Sequence, residues 1–465
     1  MSGGVAVTAT MVASAAGGRL VAGDSGRVFD GFSIDSRTLR PGDLFFAVVA
    51  ARDGHAFVPD ALARGAAGLV VSRPVSVGGA PAAVIEVVDT TAALQALART
   101  VRRASGAVVV AITGSAGKTT TKEAIAELLS AKYRVVRNRG NLNNHLGLPL
   151  SLLELRHGAD VAVMELGMNH AGEIRVLVGI AEPEIRVWTN VGDAHIGHFD
   201  SADGIADAKA EILERALPDH LLVCNADDAR VMARARAFAG RTRTFGFGPA
   251  ADVRAVDVED RGVDGMRATV RTPAGDARLE VPLIGRGNLA NVLCATAVAL
   301  ELGVPLADLA ARIGRLQPAP RRGQVRRLPR GVTLIDDSYN SSPSALASAL
   351  DVLARDPRAA RRVAVLGEML ELGDHSVRLH EAAGRLAAGA GLARLITVGG
   401  HPARALGEAA KAAGLPPSAV AHAATSDEAA RLAADWVQPG DLVLVKGSRG
   451  IRTDVVVDRL AGEGA

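Results

Sequence analysis

The chain carries the stretch Thr113-Gly114-Ser115-Ala116-Gly117-Lys118-Thr119-Thr120-Thr121-Lys122-Glu123, which decides the predicted fold of its middle part. An apolar, β-branched run at residues 107–112 precedes it, and apolar residues of one helical face follow it, namely Ala124, Ile125, Leu128 and Leu129. This context predicts a strand, a glycine-rich loop and a helix. Glycines allow backbone N–H groups to face phosphate oxygens, and the helix start adds the positive end of its dipole. Lys118 can neutralise outer phosphates and Thr119 can offer a hydroxyl to Mg²⁺, so we predict an ATP-binding loop.

This loop departs in one place from the general phosphate-binding pattern G-x-x-x-x-G-K-[ST]. Ile112 stands where that pattern has its first glycine, so the motif here is G-x-x-G-K-T-T. The alternative is a glycine-rich turn before an ordinary helix. The strand and helix that a phosphate loop requires are both predicted, which favours the ATP site.

The composition indicates a folded, multidomain protein. The length of 465 residues predicts about three domains, and 48% hydrophobic with 22% charged residues is typical of globular proteins. Aromatic residues are only 3%, which argues against a nucleic-acid surface built on base stacking. The net charge of +3 is explained more simply by an anionic small molecule than by a polymer.

Cysteine usage and the N-terminal run favour a reducing compartment. Cys224 and Cys294 are the only cysteines, and neither lies in a metal-like spacing. Residues 5–16 are small and apolar, but no Lys or Arg precedes them, so we interpret them as the first helix and not a signal peptide. No apolar stretch approaches the roughly 20 residues that span a bilayer. We therefore expect a cytoplasmic protein with no membrane or nucleic-acid partner, and we separately expect a monomer.

Residues 1–105 predict a small α/β domain without a nucleotide motif. Strand-like runs at residues 44–49, 68–71 and 83–88 precede a predicted helix at residues 91–103. Two polar loops, at residues 33–37 and 52–57, adjoin apolar runs. Substrate binding and plain turn chemistry explain these loops equally well.

Residues 106–315 predict a central parallel-sheet ATPase domain. Glu165 and His195 follow strand-like runs at residues 161–164 and 185–191, and the carboxyl ends of parallel strands form ligand sites. Together with Thr119 they would complete a Mg²⁺ shell, although a lone histidine is more often structural. Lys209 lies in a helical segment, where a lysine is normally a solvated charge. A small antiparallel sheet is predicted between residues 245 and 282, and Asn288 is either an N-cap or, with Asn291 one turn later, a contact for a base edge.

Residues 316–465 predict a second parallel α/β domain, which is Rossmann-like. The Pro-rich residues 317–320 indicate a linker, and strand-like runs follow at residues 332–335, 362–366, 395–398 and 442–445. Polar loops end three of these strands, at residues 336–340, at residues 367–369 together with 373–375, and at residues 446–449, and by the carboxyl-end rule they should line one rim. If that rim faces the ATP domain, an interdomain cleft can close on substrates.

With these motifs the chain resembles the Mur ligase family, the ATP-dependent amide-forming enzymes of peptidoglycan precursor synthesis. The resemblance covers nearly the whole chain, through T-G-x-x-G-K-T-T and five further runs, at residues 138–149, 164–174, 190–195, 336–343 and 446–449. The runs G-N-x-N-N and G-M-N-H-x-G-E-I are far more specific than the phosphate loop. The resemblance implies ATP and Mg²⁺ as cofactors.

Residue by residue, the resemblance implies roles for five groups of residues. It implies catalytic roles for Lys118, Lys209 and His195, and Mg²⁺ contacts from Thr119, Glu165, His195 and, if carbamylated, Lys209. It implies ATP contacts from Gly114, Ser115, Ala116, Gly117, Lys118, Thr119, Thr120, Asn288, Asn291, Arg322, Asp337 and Tyr339. It implies UDP-sugar contacts from Ser36, Arg37, Asn141, Asn143 and Asn144. The incoming dipeptide would be held by Asn340, Lys446, Ser448 and Arg449.

Within the family, the D-N-P-R signature of members that add a diamino acid is absent from the third domain. This absence favours the later, dipeptide-adding step, with UDP-N-acetylmuramoyl-tripeptide and D-alanyl-D-alanine as substrates. Gly287 and Ser342 depart from the family, which often has His and Asn there. The alternatives are another ligase of the superfamily, similar to folylpolyglutamate synthase, and a P-loop ATPase that performs no ligation.

Overall fold

The computed structural model describes residues 4–462, which form three β-sheets that follow one another along the chain. The mixed α/β class predicted from the sequence is confirmed. The predicted boundaries after residues 105 and 315 stay predictions. No helix within residues 4–462 is long and apolar enough to cross a membrane.

The first sheet has five strands in the order β1-β5-β4-β3-β2, and only β1 is antiparallel to its neighbour. The predicted first helix at residues 5–16 begins only at Ala9, because Thr8 is extended and its side chain accepts the N–H of Met11. The long helix α3 buries its apolar face and ends at Ser105, and the following Gly106 has a left-handed backbone that caps it. The elements are α1 (Ala9–Ala16), β1 (Arg19–Ala22), β2 (Phe32–Ser33), β3 (Leu44–Phe46), α2 (Val58–Ala63), β4 (Gly68–Val71), β5 (Ala83–Glu86) and α3 (Thr90–Ser105).

The second sheet has nine strands in the order β14-β13-β12-β11-β10-β9-β6-β8-β7. The antiparallel strands predicted between residues 245 and 282 are not a separate sheet, because β12 pairs in parallel with β11 and so continues the main sheet. The elements are β6 (Val108–Thr113), α4 (Lys118–Leu129), β7 (Val135–Arg137), α5 (Gly147–Leu152), β8 (Val161–Glu165), α6 (Glu173–Ala181), β9 (Ile185–Trp188), α7 (Ala202–Ala210), β10 (Leu221–Asn225), α8 (Ala229–Ala235), β11 (Arg241–Gly246), β12 (Val253–Asp260), β13 (Met266–Thr272), β14 (Gly275–Val281), α9 (Arg286–Glu301) and α10 (Leu306–Ile313).

The third sheet has six strands in the order β15-β16-β20-β17-β18-β19, parallel except for the edge strand β15. Its elements are β15 (Gln324–Arg327), β16 (Thr333–Asp337), α11 (Pro343–Arg355), β17 (Arg362–Gly367), α12 (Ser376–Gly389), β18 (Leu392–Val398), α13 (His401–Ala412), β19 (Val420–Ala423), α14 (Ser426–Trp436), β20 (Leu442–Lys446) and α15 (Asp454–Ala461).

The strand register brings the functional loops together. Strand β6 lies between β8 and β9, and it pairs Ile112 with Glu165 and Thr113 with Trp188. Because these strands are parallel, their carboxyl ends share one edge of the sheet. The phosphate loop, Glu165 and the segment that carries His195 therefore leave the sheet side by side. Below we call the part built on the second sheet the central unit and the part built on the third sheet the C-terminal unit.

Candidate functional site

The phosphate loop is held by strong backbone constraints. Gly117 has a φ of 79° and is the N-cap residue that precedes α4, and a side chain there would overlap Asn291. A side chain at Gly114 would likewise overlap the hydroxyl of Thr189. Only glycine fits both positions. The side chain of Asn190 closes the loop by accepting the N–H of Ala116 at 2.8 Å. The glycine spacing of this loop thus has a direct steric reason.

Lys118 stands at the start of α4 and faces the cleft. Its Nζ donates a hydrogen bond to the carbonyl of Gly114 at 2.7 Å. Removal from water lowers the pKa of Lys118, the Glu165 carboxylate opposes this shift, and the Arg322 guanidinium adds to it. An ammonium group in such surroundings gains from an anionic partner such as a phosphate.

A cluster of oxygen atoms lies next to the loop. The hydroxyl of Thr119 donates to Oε2 of Glu165 at 2.8 Å, and Nδ2 of Asn143 donates to Oε1 at 2.9 Å. Asn138 fixes the backbone of Glu165, since its amide group donates to the carbonyl and accepts the N–H. Carboxylate and hydroxyl oxygens are ligands that Mg²⁺ prefers, so these residues fit such an ion. Asn138 was not predicted as a site residue, although it opens the N-R-G-N-L-N-N run.

His195 lines the same cleft and meets the C-terminal unit. Its backbone has a φ of 65°, a conformation uncommon for residues other than glycine. Its Nδ1 lies 2.6 Å from Oε2 of Glu371, which follows β17. The close contact with the His195 ring keeps the pKa of Glu371 below its usual range. The sequence prediction missed Glu371, although it lies between two segments that the prediction placed on the rim.

Lys209 is a buried residue of α7, with only 1% of its surface exposed. The prediction that a helical lysine is normally solvated is therefore wrong for this one. Burial, and next the positive charge of Lys118, lower the pKa of Lys209 well below its usual value. Burial therefore favours the neutral amine of Lys209 over the charged form. Lys209 does not belong to the cleft lining.

The C-terminal unit supplies the opposite wall. Lys446 is buried, and its Nζ donates to Oδ2 of Asp337 at 2.6 Å and to the carbonyl of Asn340 at 2.9 Å. The Arg322 guanidinium stacks on the Tyr339 ring at 4.2 Å, and Arg449 lies on the same ring at 5.6 Å. Lys446 therefore braces the wall, whereas Arg449 is exposed to the cleft.

Ser448 and the two asparagines of α9 also form hydrogen bonds within the protein. The hydroxyl oxygen of Ser448 accepts the N–H of Leu370 at 2.9 Å. Asn288 lies inside α9 and its Nδ2 donates to the carbonyl of Ile284 at 2.9 Å, so the N-cap interpretation is wrong because Gly285 occupies that position. Asn291 packs on Gly117 and donates to Asn288 at 3.2 Å.

These walls enclose one cleft of about 1380 Å³ between the central and C-terminal units. Of the predicted site residues, it is lined by Ser115, Ala116, Gly117, Lys118, Thr119, Thr120, Asn141, Asn143, Asn144, Glu165, His195, Asn288, Asn291, Arg322, Asp337, Tyr339, Asn340, Lys446, Ser448 and Arg449. Gly114 and Lys209 are not among the lining residues.

Ser36 and Arg37 are not brought to this cleft. They line a separate cavity of about 350 Å³ with Asp60, Ala63 and Arg64. Ser36 is buried, and Arg37 is exposed and forms an ion pair of 2.7 Å with Asp35.

Comparison with known proteins gives a consistent result along the chain. Family models described as Mur ligase family catalytic domain, Mur ligase middle domain, and Mur ligase glutamate ligase domain match residues 28–102, 112–299 and 321–449, respectively. The UDP-N-acetylmuramoyl-tripeptide--D-alanyl-D-alanine ligase of Mycobacterium tuberculosis is 36% identical over 478 residues, covering 94% of this chain and 93% of that protein.

Solved structures agree. The fold is similar to that of MurF from Acinetobacter baumannii, with a TM-score of 0.89, 32% identity and 99% of each chain covered. It is also similar to MurF ligase from Thermotoga maritima in complex with ADP, with a TM-score of 0.81, 29% identity, and 93% of this chain and 97% of that one covered. With three matched domains and these similarities over nearly its whole length, the chain belongs to the Mur ligase family.

Proposed function

We propose that this protein is an ATP-dependent ligase that joins D-alanyl-D-alanine to UDP-N-acetylmuramoyl-tripeptide in peptidoglycan precursor synthesis. One observation carries the proposal. The phosphate loop with Lys118 and the exposed Arg449 of the C-terminal unit line a single cleft of about 1380 Å³. The relatives that bear this name match the chain over nearly all of its length.

The reaction forms an amide by way of an acyl phosphate. The terminal carboxylate of the tripeptide attacks the γ-phosphorus of ATP and ADP leaves. The free amine of D-alanyl-D-alanine then attacks the acyl carbonyl and phosphate leaves, while the amine gives up its proton. Lys118 would reduce the repulsion between the carboxylate and ATP, and the N–H groups of residues 114–120 would cradle the phosphates.

We propose that Thr119, Glu165 and His195 hold Mg²⁺. The oxygen cluster of Thr119 and Glu165 offers a carboxylate and a hydroxyl at a 2.8 Å separation, both on the cleft surface. Mg²⁺, when bound, adds positive charge that stabilises the transferring phosphoryl group. Asn143 and Asn138 keep the Glu165 carboxylate in place.

We further propose that Lys209 is carbamylated. Only a neutral amine adds to CO₂, and the addition releases one proton and leaves a carboxylate. Burial lowers the pKa of Lys209 and so favours the neutral amine. The carboxylate would face the positive charge of Lys118, which compensates its burial. It would then help to place a second Mg²⁺.

We assign the remaining roles by unit. Residues 1–105 would bind the UDP-sugar, with Ser36 and Arg37 in their own cavity and Asn141, Asn143 and Asn144 at the cleft. Asn288 and Asn291 would lie beside the nucleotide, as would Arg322, Asp337 and Tyr339. The exposed side chains of Asn340 and Arg449 are better placed to hold the dipeptide than those of Lys446 and Ser448. The latter two already form hydrogen bonds within the C-terminal unit. A cytoplasmic location, in keeping with two buried free cysteines, and a monomeric state complete the proposal.

A product assay with the purified protein tests this function. Incubation with ATP, Mg²⁺, UDP-N-acetylmuramoyl-tripeptide and D-alanyl-D-alanine should give one new species whose mass is the sum of both substrates less one water. Phosphate release should need both substrates. Release stimulated by folate and glutamate instead would favour a folylpolyglutamate synthase-like ligase, and ATP hydrolysis that needs no carboxylate acceptor would favour an ATPase without ligase activity.

A further inference from the structure

The central and C-terminal units meet at His195, and each side of this contact contributes a residue with an unusual backbone conformation. His195 and Glu371 both have left-handed backbones, with φ of 65° and 64°, and their side chains meet at 2.6 Å. Such conformations are unfavourable for residues other than glycine and persist only where the surroundings hold them. Two of them in direct contact across the unit boundary point to a functional contact.

Backbone groups reinforce this contact. The N–H of Gly197 donates to the carbonyl of Glu371 at 3.0 Å. A Cβ atom on Gly197 would lie 2.5 Å from the backbone nitrogen of Gly373, so the two loops approach closely enough that only glycine fits at residue 197. The position of Glu371 relative to His195 is therefore fixed by the main chain as well as by the side chains.

The contact also restricts which nitrogen of His195 is free. Its Nδ1 is buried and lies 2.6 Å from Oε2 of Glu371, but it forms no hydrogen bond of regular geometry with any described residue. A carboxylate this close can accept the Nδ1 proton after a small rotation of either side chain, and this would leave Nε2 as the lone-pair nitrogen for a ligand. Carboxylates commonly orient metal-binding histidines in this way.

We propose that Glu371 is a positioning residue, which orients His195 towards Mg²⁺ only when the C-terminal unit lies against the central unit. The inference rests on the proposed function of His195 as a metal ligand. It adds that the metal site is complete only in the closed arrangement. Binding of the metal–nucleotide complex and docking of the C-terminal unit then favour each other, since each stabilises the same arrangement.

A second contact between these units makes the proposal testable with folded variants. Asp356 of the C-terminal unit accepts the N–H of Val263 at 2.9 Å and forms an ion pair with Arg358. Arg327 adds an ion pair of 3.0 Å to Asp264. Loss of the Glu371 side chain alone should therefore leave the two units associated at this second contact.

The test is ADP binding by the full-length protein, measured by calorimetry at a series of Mg²⁺ concentrations and in EDTA. Glu371→Ala should raise the half-saturating Mg²⁺ concentration by about 10-fold and leave ADP binding in EDTA unchanged. Glu371→Gln keeps an oxygen that accepts the Nδ1 proton and should restore most of the loss. Asp374→Ala removes the same charge from the same loop and should behave as wild type.

A backbone variant checks the role of closure. Gly197→Ala keeps both side chains but forces the loops apart, and it should raise the Mg²⁺ requirement as Glu371→Ala does. Mg²⁺-dependent binding that neither variant changes would overturn this inference alone. ADP binding by wild type that is independent of Mg²⁺ would overturn the metal assignment of the proposed function, and this inference with it. Equal losses in Glu371→Ala and Asp374→Ala would indicate a charge effect and overturn the positioning role.

Discussion

The hydroxyl of Thr119 donates a 2.8 Å hydrogen bond to the Glu165 carboxylate, which joins the first turn of α4 to the end of β8. Both oxygens face the cleft, where the proposed Mg²⁺ would replace this bond with metal contacts. Thr119→Val keeps the shape and removes the hydroxyl. We expect product formation to fall roughly 10- to 100-fold at low Mg²⁺. Thr119→Ser retains the hydroxyl and should stay near wild type, whereas equal rates for the two variants would contradict a metal role.

Lys118→Ala should abolish acyl-phosphate formation while the fold persists. Lys118 is the ammonium group nearest the loop carbonyl of Gly114, and its loss removes the charge that offsets repulsion between the two anions. We expect a fall of about 100-fold or more, measured by trapping the acyl phosphate with hydroxylamine. The thermal unfolding midpoint serves as the control for folding. Wild-type turnover in this variant would contradict the phosphate-loop assignment.

Lys209→Ala should lose activity and regain part of it when short carboxylic acids are added. The variant leaves a space where the acid can supply the carboxylate that carbamylation of Lys209 would provide. We expect a loss on the order of 100-fold in product formation before rescue. Lys411→Ala, in helix α13 beside Glu408, is the matched control and should respond to neither change. Unchanged activity in Lys209→Ala would rule out the carbamate.

Arg37→Ala should weaken binding of the UDP-linked substrate without changing the affinity for ADP. Arg37 lines a cavity that is separate from the nucleotide cleft. We expect the KM for the UDP-linked tripeptide to rise about tenfold, with an unchanged Kd for ADP. Arg19→Ala, which replaces an exposed arginine of strand β1 that is paired with Glu86, is the control. A change in ADP affinity in place of KM would contradict the division of roles between the units.

Protonation of His380 should lower the free energy of unfolding in mild acid. Its Nε2 accepts the N–H of Met369 at 2.9 Å and its Nδ1 lies 2.7 Å from the carbonyl of Ser376, so the neutral ring fits both partners. Burial lowers the pKa of His380 below the usual 6.5. Because the unfolded chain then binds the proton more tightly, this stability is present above pH 6.5 and is lost as the pH falls from 6.5 towards the lower folded pKa.

The matching variant is His380→Gln, which offers a non-titrating acceptor to Met369. We expect a smaller drop in Tm between about pH 7.5 and about pH 5.5 than in wild type. Equal drops in the two proteins would show that other groups cause the acid sensitivity.

The local features of the nucleotide loop could be predicted from the sequence because their signals are local. The β-branched run before Thr113, the glycines and the apolar face of α4 each depend on neighbours within a few residues. Glu165 could be placed because it directly follows an apolar strand-like run, which is also a local signal. The rule that ligands bind at the carboxyl ends of parallel strands then put it beside the phosphate loop. The strand run at residues 185–191 was predicted too long, because β9 ends at Trp188, where the chain turns towards the loop.

Other features depend on which segments the tertiary structure brings together. Burial of Lys209 depends on how α7 packs in the folded protein, and a helical lysine carries no sequence signal of that packing. Glu371 meets His195 only because two units of the chain face each other, although 176 positions separate them in the sequence. The sequence by itself determined the ATP loop, the alternation of strands and helices, and the membership of the family. Only the tertiary structure decided which side chains line the cleft and which ones support its walls. The physical reason is that packing between distant segments sets the burial of each side chain, the distances between charged groups, and the contacts between the central and C-terminal units.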